Sequence, residues 1–388
     1  MMATPIKHTV NKFINVDLPC VMLFCIIFIQ HDKIREKKRE SQTFLRIFAT
    51  AMFTTILLNW FAAHGRTLPW RGSKDPYAIW LSEVILQQTR IAQGTDYYLR
   101  FMAKWPTVEQ LAAASEDEVL RLWQGLGYYS RARNLHAAAR AIAARGAFPN
   151  TYEEIRKLKG VGDYTAAAIA SMAFGLPYAA VDGNVYRVLA RYYGIDTAIN
   201  SSQGKKLFQS LANSLCPQQA AGTWNQALMD FGALQCTAAA PHCIDCPLQE
   251  TCTAFREGRV TQLPVKERKL KIRERYFTYY YIRCKGKIAI HQRGAGDIWQ
   301  GLWEPALIEV DSLPPGSVTV KHVLTHQILF ATLTVMDFDA AELTQEQPAK
   351  LLQTPTLPHD FIWIAEHELE KYALPALVVR LLKQIHNT

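Results

Sequence analysis

The chain has 388 residues, 49% hydrophobic and 20% charged, which suits two or three packed domains and excludes a disordered or fibrous protein. A formal charge of +9, from 43 Lys+Arg against 34 Asp+Glu, permits a polyanionic partner without identifying one. Eight cysteines are too few for a disulfide scaffold at this length, yet Cys236, Cys243, Cys246 and Cys252 fall within 17 residues.

Residues 1–51 read as a poorly specified extension. Their apolar run, Val21 to Ile29, is nine residues long, whereas a bilayer crossing needs about 20. No small-residue cleavage site follows it; instead six Lys/Arg lie between Lys33 and Arg46. Translation beginning at Met52, just ahead of the patterned segment Ile56 to Phe61, would leave this extension out of the mature protein. No membrane association is expected.

From Asp75 onward the pattern is helical. Asp75-Pro76 is an N-cap with proline at the first helical position, and Ile79, Trp80, Ile85 and Leu86 recur at helical spacing. Further helices are predicted over Glu116 to Gln124, Ala132 to Ala144, Asp163 to Phe174, Val185 to Tyr193 and Trp224 to Leu234, with Gly175 and Gly194 placed for left-handed C-caps. No repeat of fixed period is present, which argues against a solenoid.

Two helices are expected to meet at Leu158-Lys159-Gly160-Val161-Gly162. Gly160 and Gly162 let the backbone turn sharply and aim amides at an anion, such as a DNA phosphate, at a helix N-terminus. An isolated GxG of this kind is also compatible with an ordinary helix corner. Twenty residues downstream, Val181-Asp182-Gly183-Asn184 puts Asp182 at a loop-to-helix junction. Capping is the commonest task of Asp there, and a capping carboxylate that stays ionised can also stabilise a cationic sugar. The four clustered cysteines, spaced C-x6-C-x2-C-x5-C, suit either tetrahedral zinc or a cubane iron-sulfur cluster, although a zinc ribbon more often shows two CxxC pairs.

After a basic connector over 254–275, with eight Lys/Arg and three Glu around Pro264, strands are predicted at Tyr276 to Ile282, Lys287 to His291, Ala306 to Val310 and Phe330 to Met336. A late helix covers Leu374 to Ile385, so the C-terminal part reads as α+β. The connector and residues 1–51 together account for the whole net charge. Any contact of the helical body with a polyanion such as DNA would then rest on amides, helix ends and local arginines such as Arg131 and Arg133.

Taken together, the hairpin, Asp182 and the cysteine spacing resemble the helix-hairpin-helix DNA glycosylases, and within them the adenine DNA glycosylases of the MutY type. The segments Leu68-Pro69-Trp70-Arg71-Gly72 and Trp80-Leu81-Ser82-Glu83-Val84-Ile85-Leu86-Gln87-Gln88-Thr89 are similar to the MutY pattern. The resemblance implies a multidomain protein: an all-α helix-hairpin-helix glycosylase body over 52–253 with a 4Fe-4S loop, then the connector, then an α+β Nudix-like mismatch-recognition domain over 276–388. It implies Cys236, Cys243, Cys246 and Cys252 as ligands of a 4Fe-4S cluster, Glu83 as the catalytic acid, and Asp182, Tyr164 and Asn184 as its catalytic companions. Arg71, Leu86 and Gln226 would line the adenine pocket; Gln87, Gln88 and Tyr128 would hold the opened duplex; Gly160 and Gly162 would bind phosphate. Lys159 stands where the family usually has proline.

Position 164 separates two branches. The endonuclease III type has there a lysine that attacks the sugar, whereas Tyr164 implies a monofunctional glycosylase. In the C-terminal part, Gly301-Leu302-Trp303-Glu304 looks like the Nudix turn, but no glutamate-rich helix follows, so a pyrophosphatase is disfavoured. Leu324-Thr325-His326 resembles the family's Phe-Ser-His loop that probes 8-oxoguanine, with Leu in place of the aromatic wedge. The expected partner is double-stranded DNA carrying adenine opposite 8-oxoguanine or guanine, engaged by a monomer in the cytoplasm. An endonuclease III-like glycosylase/lyase acting on oxidised pyrimidines is the nearest rival reading, and a noncatalytic iron-sulfur DNA-binding module the more distant one.

Overall fold

Asp75 leaves an extended stretch and accepts from Tyr77 N at 3.0 Å and Ala78 N at 3.3 Å. The chain thereby enters a helix with two of its orphan amides satisfied. The computed structural model describes residues 52–267, 272–307, 317–324, 326–338 and 361–385. The extension over 1–51, Thr325 and the 308–310 part of the expected strand Ala306 to Val310 lie outside these.

The helical body comprises α1 (52–64), α2 (Pro76–Leu86), α3 (Ile91–Lys104), α4 (Val108–Ala113), α5 (Glu116–Trp123) and α6 (Ser130–Arg145). It continues with α7 (Tyr152–Arg156), α8 (Asp163–Phe174), α9 (Gly183–Tyr193), α10 (Ser202–Leu215), α11 (Ala221–Asp230) and α12 (Thr253–Arg256). Gly175 and Gly194 are the left-handed C-caps of α8 and α9, at φ 69° and 67°. Helix α11 runs on into one π-turn, Phe231–Gln235, which the sequence pattern had read as plain helix to Leu234. Helices α3 and α10 had no place in that pattern. Arg90 gives α3 no side-chain cap, and α10 buries Gly204, Phe208, Ala212 and Leu215, a stripe half made of small residues that carries little hydrophobic signal.

Two apolar cores form this body. One gathers α2 to α8 around Trp80, Leu81, Trp123 and Ile169; the other gathers α1, α9, α10 and α11 around Phe53, Phe208, Trp224 and Phe231. Close backbone approach joins them: a Cβ on Gly222 of α11 would stand 2.7 Å from Ser171 O of α8. Nearby, the fully buried Asn225 donates to Ser171 Oγ and Tyr178 O at 2.8 Å each and accepts from Ala180 N at 2.9 Å. It therefore fixes the segment that delivers Asp182 to the seam between the cores.

Between α7 and α8 the hairpin turns on Gly160 at φ 80°. Arg156 braces the turn, donating to Val161 O at 2.9 Å and Asp163 Oδ1 at 2.5 Å.

The C-terminal domain is built on β1 (Arg273–Cys284), β2 (Lys287–Gln292), β3 (Trp303–Glu304), β4 (Ala306–Leu307), β5 (Val318–Val323), β6 (Gln327–Phe338) and β7 (Ile362–Ala365). The sheet order is β3-β2-β1-β6-β5, with β4 on β1 and β7 on β2. Strands β1 and β6 are parallel from Arg273↔Gln327 to Cys284↔Phe338. Helix α13 (Ala376–Ile385) covers one face with Leu377, Val378 and Leu381. Helix α12 overlaps the start of the expected connector 254–275 and β1 its end, while residues 268–271 lie outside the described ones. The domain docks through Leu302 and Ala373, which join the core of the helical body. Gln292 Nε2 reaches Asp117 Oδ1 at 3.2 Å. Among the described residues no helix is long and apolar enough to cross a membrane.

Alanine at position 160 combines a left-handed φ with a Cβ placed 2.7 Å from Asn134 Cβ. We expect Gly160→Ala to cost about 1–3 kcal/mol, read as a lower urea midpoint for the helical body; an unchanged midpoint would show that the turn relaxes freely.

Candidate active site

At the seam between the two cores lies a cleft of about 590 Å³ lined by Arg66, Arg71, Glu83, Tyr164, Asp182 and Met229, among others. Trp70, Leu86, Gln87, Gln88, Asn184 and Gln226 also reach it. Nine of the sequence-derived candidates are thus brought together from the loop before α2, α2 and its C-terminal turn, α8, the start of α9 and α11.

Glu83 sits on α2 with only 8% exposure. Burial pushes its pKa up to about 7; Asp182 adds to the rise, while Tyr164 and Arg71 pull against it. The Tyr164 hydroxyl lies between this carboxyl and Met229 Sδ, to which it donates at 3.3 Å. Asp182 is the N-cap of α9, and its Oδ1 accepts from Asn184 N at 2.9 Å and Val185 N at 2.8 Å. Its Oδ2 accepts from Asn184 Nδ2 at 2.8 Å. Burial raises the Asp182 pKa, and these three donors together with the Arg187 charge oppose the rise. Two carboxylates therefore share one cleft in different surroundings, the first dry and poorly donated to, the second fully donated to.

Arg71 lines the cleft but its guanidinium is engaged. It donates to Asp230 Oδ2 at 2.6 Å and Oδ1 at 2.7 Å, and Arg66 binds the same carboxylate. Asp230 has no exposed side-chain surface, and these partners hold its pKa below the ordinary range despite burial. Sequence reasoning passed over Asp230. Its signal was a single charge set in the apolar run Leu228 to Phe231, where an unpaired carboxylate is too costly to bury. Arg187 was missed as well. It donates to Asn184 Oδ1 at 2.8 Å and to Cys236 O at 2.8 Å, linking the start of α9 to the cysteine loop.

Cys236, Cys243, Cys246 and Cys252 are all free and line one cavity of about 30 Å³ with Arg191, Phe231 and Leu248. No three Cys, His, Asp or Glu side chains among the described residues are drawn close enough to hold a metal ion as they stand. The buried Arg191 donates to Cys236 Sγ at 3.4 Å and to Thr237 O at 2.7 Å. Burial and mutual repulsion raise the Cys243 thiol, so a set of thiolates here needs a countercharge beyond Arg191.

The remaining candidates lie elsewhere. Tyr128 and His326 line a second cleft of about 720 Å³ between the helical body and the C-terminal domain, with Trp299 and Arg380. Gly160 and Gly162 lie in the hairpin, outside both linings. Thr325 is outside the described residues. Contrary to the expectation of DNA contact, the Arg131 and Arg133 guanidiniums are turned into the protein. Arg133 donates to Gln300 O, and Arg131 to a set of backbone carbonyls. Glu304 of the Gly-Leu-Trp-Glu turn is likewise internal, held by Arg293 at 2.6 and 2.8 Å and by Tyr279 Oη at 2.9 Å.

Folded Glu83 keeps its proton up to about pH 7, whereas an ordinary glutamic acid releases it near 4.5. Its raised pKa makes it a burden that is absent below 4.5 and grows as pH climbs to 7. The urea midpoint of Glu83→Gln should therefore gain on that of the parent between pH 4.5 and 7.5; parallel profiles would mean that Glu83 titrates normally.

Known proteins match the chain in two regions. Residues 81–217 match the HhH-GPD superfamily base excision DNA repair proteins, and residues 278–384 match the NUDIX domain. The adenine DNA glycosylase of Buchnera aphidicola subsp. Baizongia pistaciae is 39% identical over 259 residues, covering 66% of this chain and 73% of that protein. The Homo sapiens adenine DNA glycosylase is 43% identical over 222 residues, covering 54% of this chain and 41% of that protein. A solved structure of a thermostable thymine-DNA glycosylase, 30% identical, superposes with a TM-score of 0.50 over 54% of this chain and 97% of its own. By sequence kinship over most of a bacterial relative, and by the order of a helix-hairpin-helix repair body before a Nudix domain, the chain belongs to the adenine DNA glycosylase family, enzymes of DNA base excision repair.

Proposed function

We propose that the protein excises adenine mispaired with 8-oxoguanine or guanine, as a monofunctional glycosylase using Glu83 and Asp182. The supporting observation is the pair of carboxyls in one cleft, with Glu83 pushed up to about 7 and Asp182 held by three donors. Such a split assigns one group to proton donation and the other to charge stabilisation.

A base stacked in duplex DNA is out of reach, so adenine must be turned out into the cleft. Gln87, Gln88 and Tyr128 hold the opened duplex, and Arg71, Leu86 and Gln226 line the adenine pocket. The amides after Gly160 take a phosphate. A Cβ on Gly162 would meet nothing in the chain within 4 Å, which leaves room for a phosphate to approach the backbone there. Glu83 protonates N7 of adenine. The bond between the sugar C1′ and N9 then breaks with its electron pair going to the base, which leaves neutral. The Asp182 carboxylate faces the oxocarbenium-like sugar, by charge or by a transient bond, until water adds at C1′ and gives its proton to the Glu83 carboxylate, restoring the acid. Asn184 and Tyr164 orient the two carboxyls. Tyr164 supplies no amine for Schiff-base chemistry, which disfavours a lyase.

The four cysteines suit a 4Fe-4S cluster by ligand type and spacing, once their side chains draw closer than they stand here. They ring one cavity, are unpaired, and need a positive centre to coexist as thiolates. The cluster would tie the loop after α11 to α9, on which Asp182 and Arg187 sit.

General acid catalysis contributes about 10²–10⁴-fold, so Glu83→Gln should slow single-turnover adenine release by about 100-fold or more while leaving duplex binding intact. The parent rate should fall as pH rises through 7, since the acid form of Glu83 is lost there. A near-parental rate for Glu83→Gln would refute the assignment. For the partner base, His326 lines the interdomain cleft and Thr325 precedes it in the chain. Replacing both by alanine should bring the rates opposite 8-oxoguanine and guanine closer together; an unchanged ratio would remove this loop from recognition.

A further inference from the structure

Arg131 stands at the second position of α6, where a cation opposes the helix dipole, so its presence needs a compensating partner. The structure supplies several. Nη1 donates to Val84 O and Ile85 O at 3.0 Å each, and to Gln87 O. Nη2 donates to Gly127 O at 3.2 Å and Leu126 O at 3.4 Å, and both nitrogens approach Thr89 Oγ1 at 3.5 Å. The guanidinium lies 5.0 Å from the Trp123 ring centre and 5.8 Å from that of Tyr128. Burial lowers its pKa to about 10, so it remains a cation at neutral pH.

Three structures meet on this one group. The first is the C-terminus of α2, the helix that carries Glu83, whose last carbonyls lack intrahelical donors and favour a positive charge. The second is the turn Gln87 to Thr89, with Gln88 at φ 56°; the third is the turn Leu126 to Tyr128, with Tyr128 at φ 48°. Non-glycine residues in this region are strained and stay there only when their surroundings impose it. Both turns carry the side chains assigned above to holding the opened duplex.

We infer that Arg131 is a positioning residue that fixes the two duplex-opening turns to each other and to the helix of Glu83, so that the wedge is formed before DNA arrives. This rests on the proposed function, since it concerns how adenine reaches the cleft. It departs from phosphate contact, the role its charge suggests, because its forked donors point at carbonyls. It acts through the turns and touches no reacting atom. Lysine would keep the charge but not the planar fork that reaches carbonyls on two separate turns.

The test is single-turnover adenine release by full-length Arg131→Lys, with Arg131→Met beside it, on two duplexes. In one, adenine opposite 8-oxoguanine is flanked by paired bases; in the other, the flanking pair is mismatched so that the target is already partly unstacked. Extrusion from an intact stack costs a few kcal/mol, which preset turns would offset in part. Arg131→Lys should therefore be slowed about 10-fold or more on the paired duplex and about threefold or less on the loosened one. Equal slowing on both, or none on either, overturns the inference. Should both Arg131 variants lose their cooperative melt, Thr89→Val removes one acceptor of the clamp and must show the same dependence on duplex opening at smaller size; uniform slowing or none then counts against it. Glu83→Gln run in parallel separates the readings, because a defect in protonation slows both duplexes alike. A Glu83→Gln enzyme of parental speed would remove the chemical mechanism while leaving the duplex dependence of Arg131→Lys to be judged independently.

Discussion

Everything around the cleft depends on the cap that Asp182 places on α9. Two backbone amides and the Asn184 side chain bind its carboxylate, so the group that starts the helix is also oriented by it. In this position a capping interaction and an electrostatic role need no separate machinery, because the donors that hold the helix end are those that favour the charged form. The cap is itself supported from two sides. Asn225 fixes the approaching strand of chain, and Arg187 ties the first turn to Cys236 and Gly232. Reorganisation of the cysteine loop would thus reach Asp182 through one arginine and one asparagine.

Six arginines of the helical body are turned inward. Arg66 and Arg71 share Asp230, Arg131 and Arg133 serve carbonyls, and Arg187 and Arg191 serve the cysteine loop. A guanidinium with five fixed donors can satisfy several backbone oxygens at once, which a lysine cannot. Counting arginines in the sequence therefore overstates what this body offers to phosphate. Its offer is better sought at the hairpin, where Gly160 and Gly162 leave the backbone open and Lys157 and Lys159 are exposed.

Local rules made much of the fold readable. Asp75, Gly175 and Gly194 mark helix ends by chemistry that acts within a few residues, and the structure places each as a cap. The cysteine cluster stood out by its spacing, whereas Glu83 was paired with Asp182 only through the resemblance to the adenine DNA glycosylases. Interactions across the chain were not. Asp230 meets Arg66 and Arg71 from more than 150 residues away, and nothing near it in sequence announces those partners. Strands β5 and β7 escaped notice for a related reason: each lies at the margin of the sheet and shows only partial burial, so alternation there reflects pairing with β6 and β2 more than a buried face. Arg131 and Arg133 illustrate the converse error, in which a charge readable in sequence is taken for a surface charge.

The two clefts are separate in lining but mechanically close. Gln87, Gln88 and Thr89 border the cleft with Glu83 and Asp182, whereas Gly125 to Tyr129 border the one with His326. Arg131 contacts both turns, and Arg133, two residues on, holds Gln300 of the C-terminal domain. One turn of α6 thus connects the wall of the cleft that holds Glu83 and Asp182, the wall of the interdomain cleft and the docking loop of the Nudix domain. On the proposed function a mispair spans both bases at once, and judging one base while cutting the other would need the two readings held at a fixed separation. Packed elements transmit position without slack because interiors are close-packed, so selectivity for a base pair can arise here from the rigidity of the first turn of α6 as much as from the contacts made to either base.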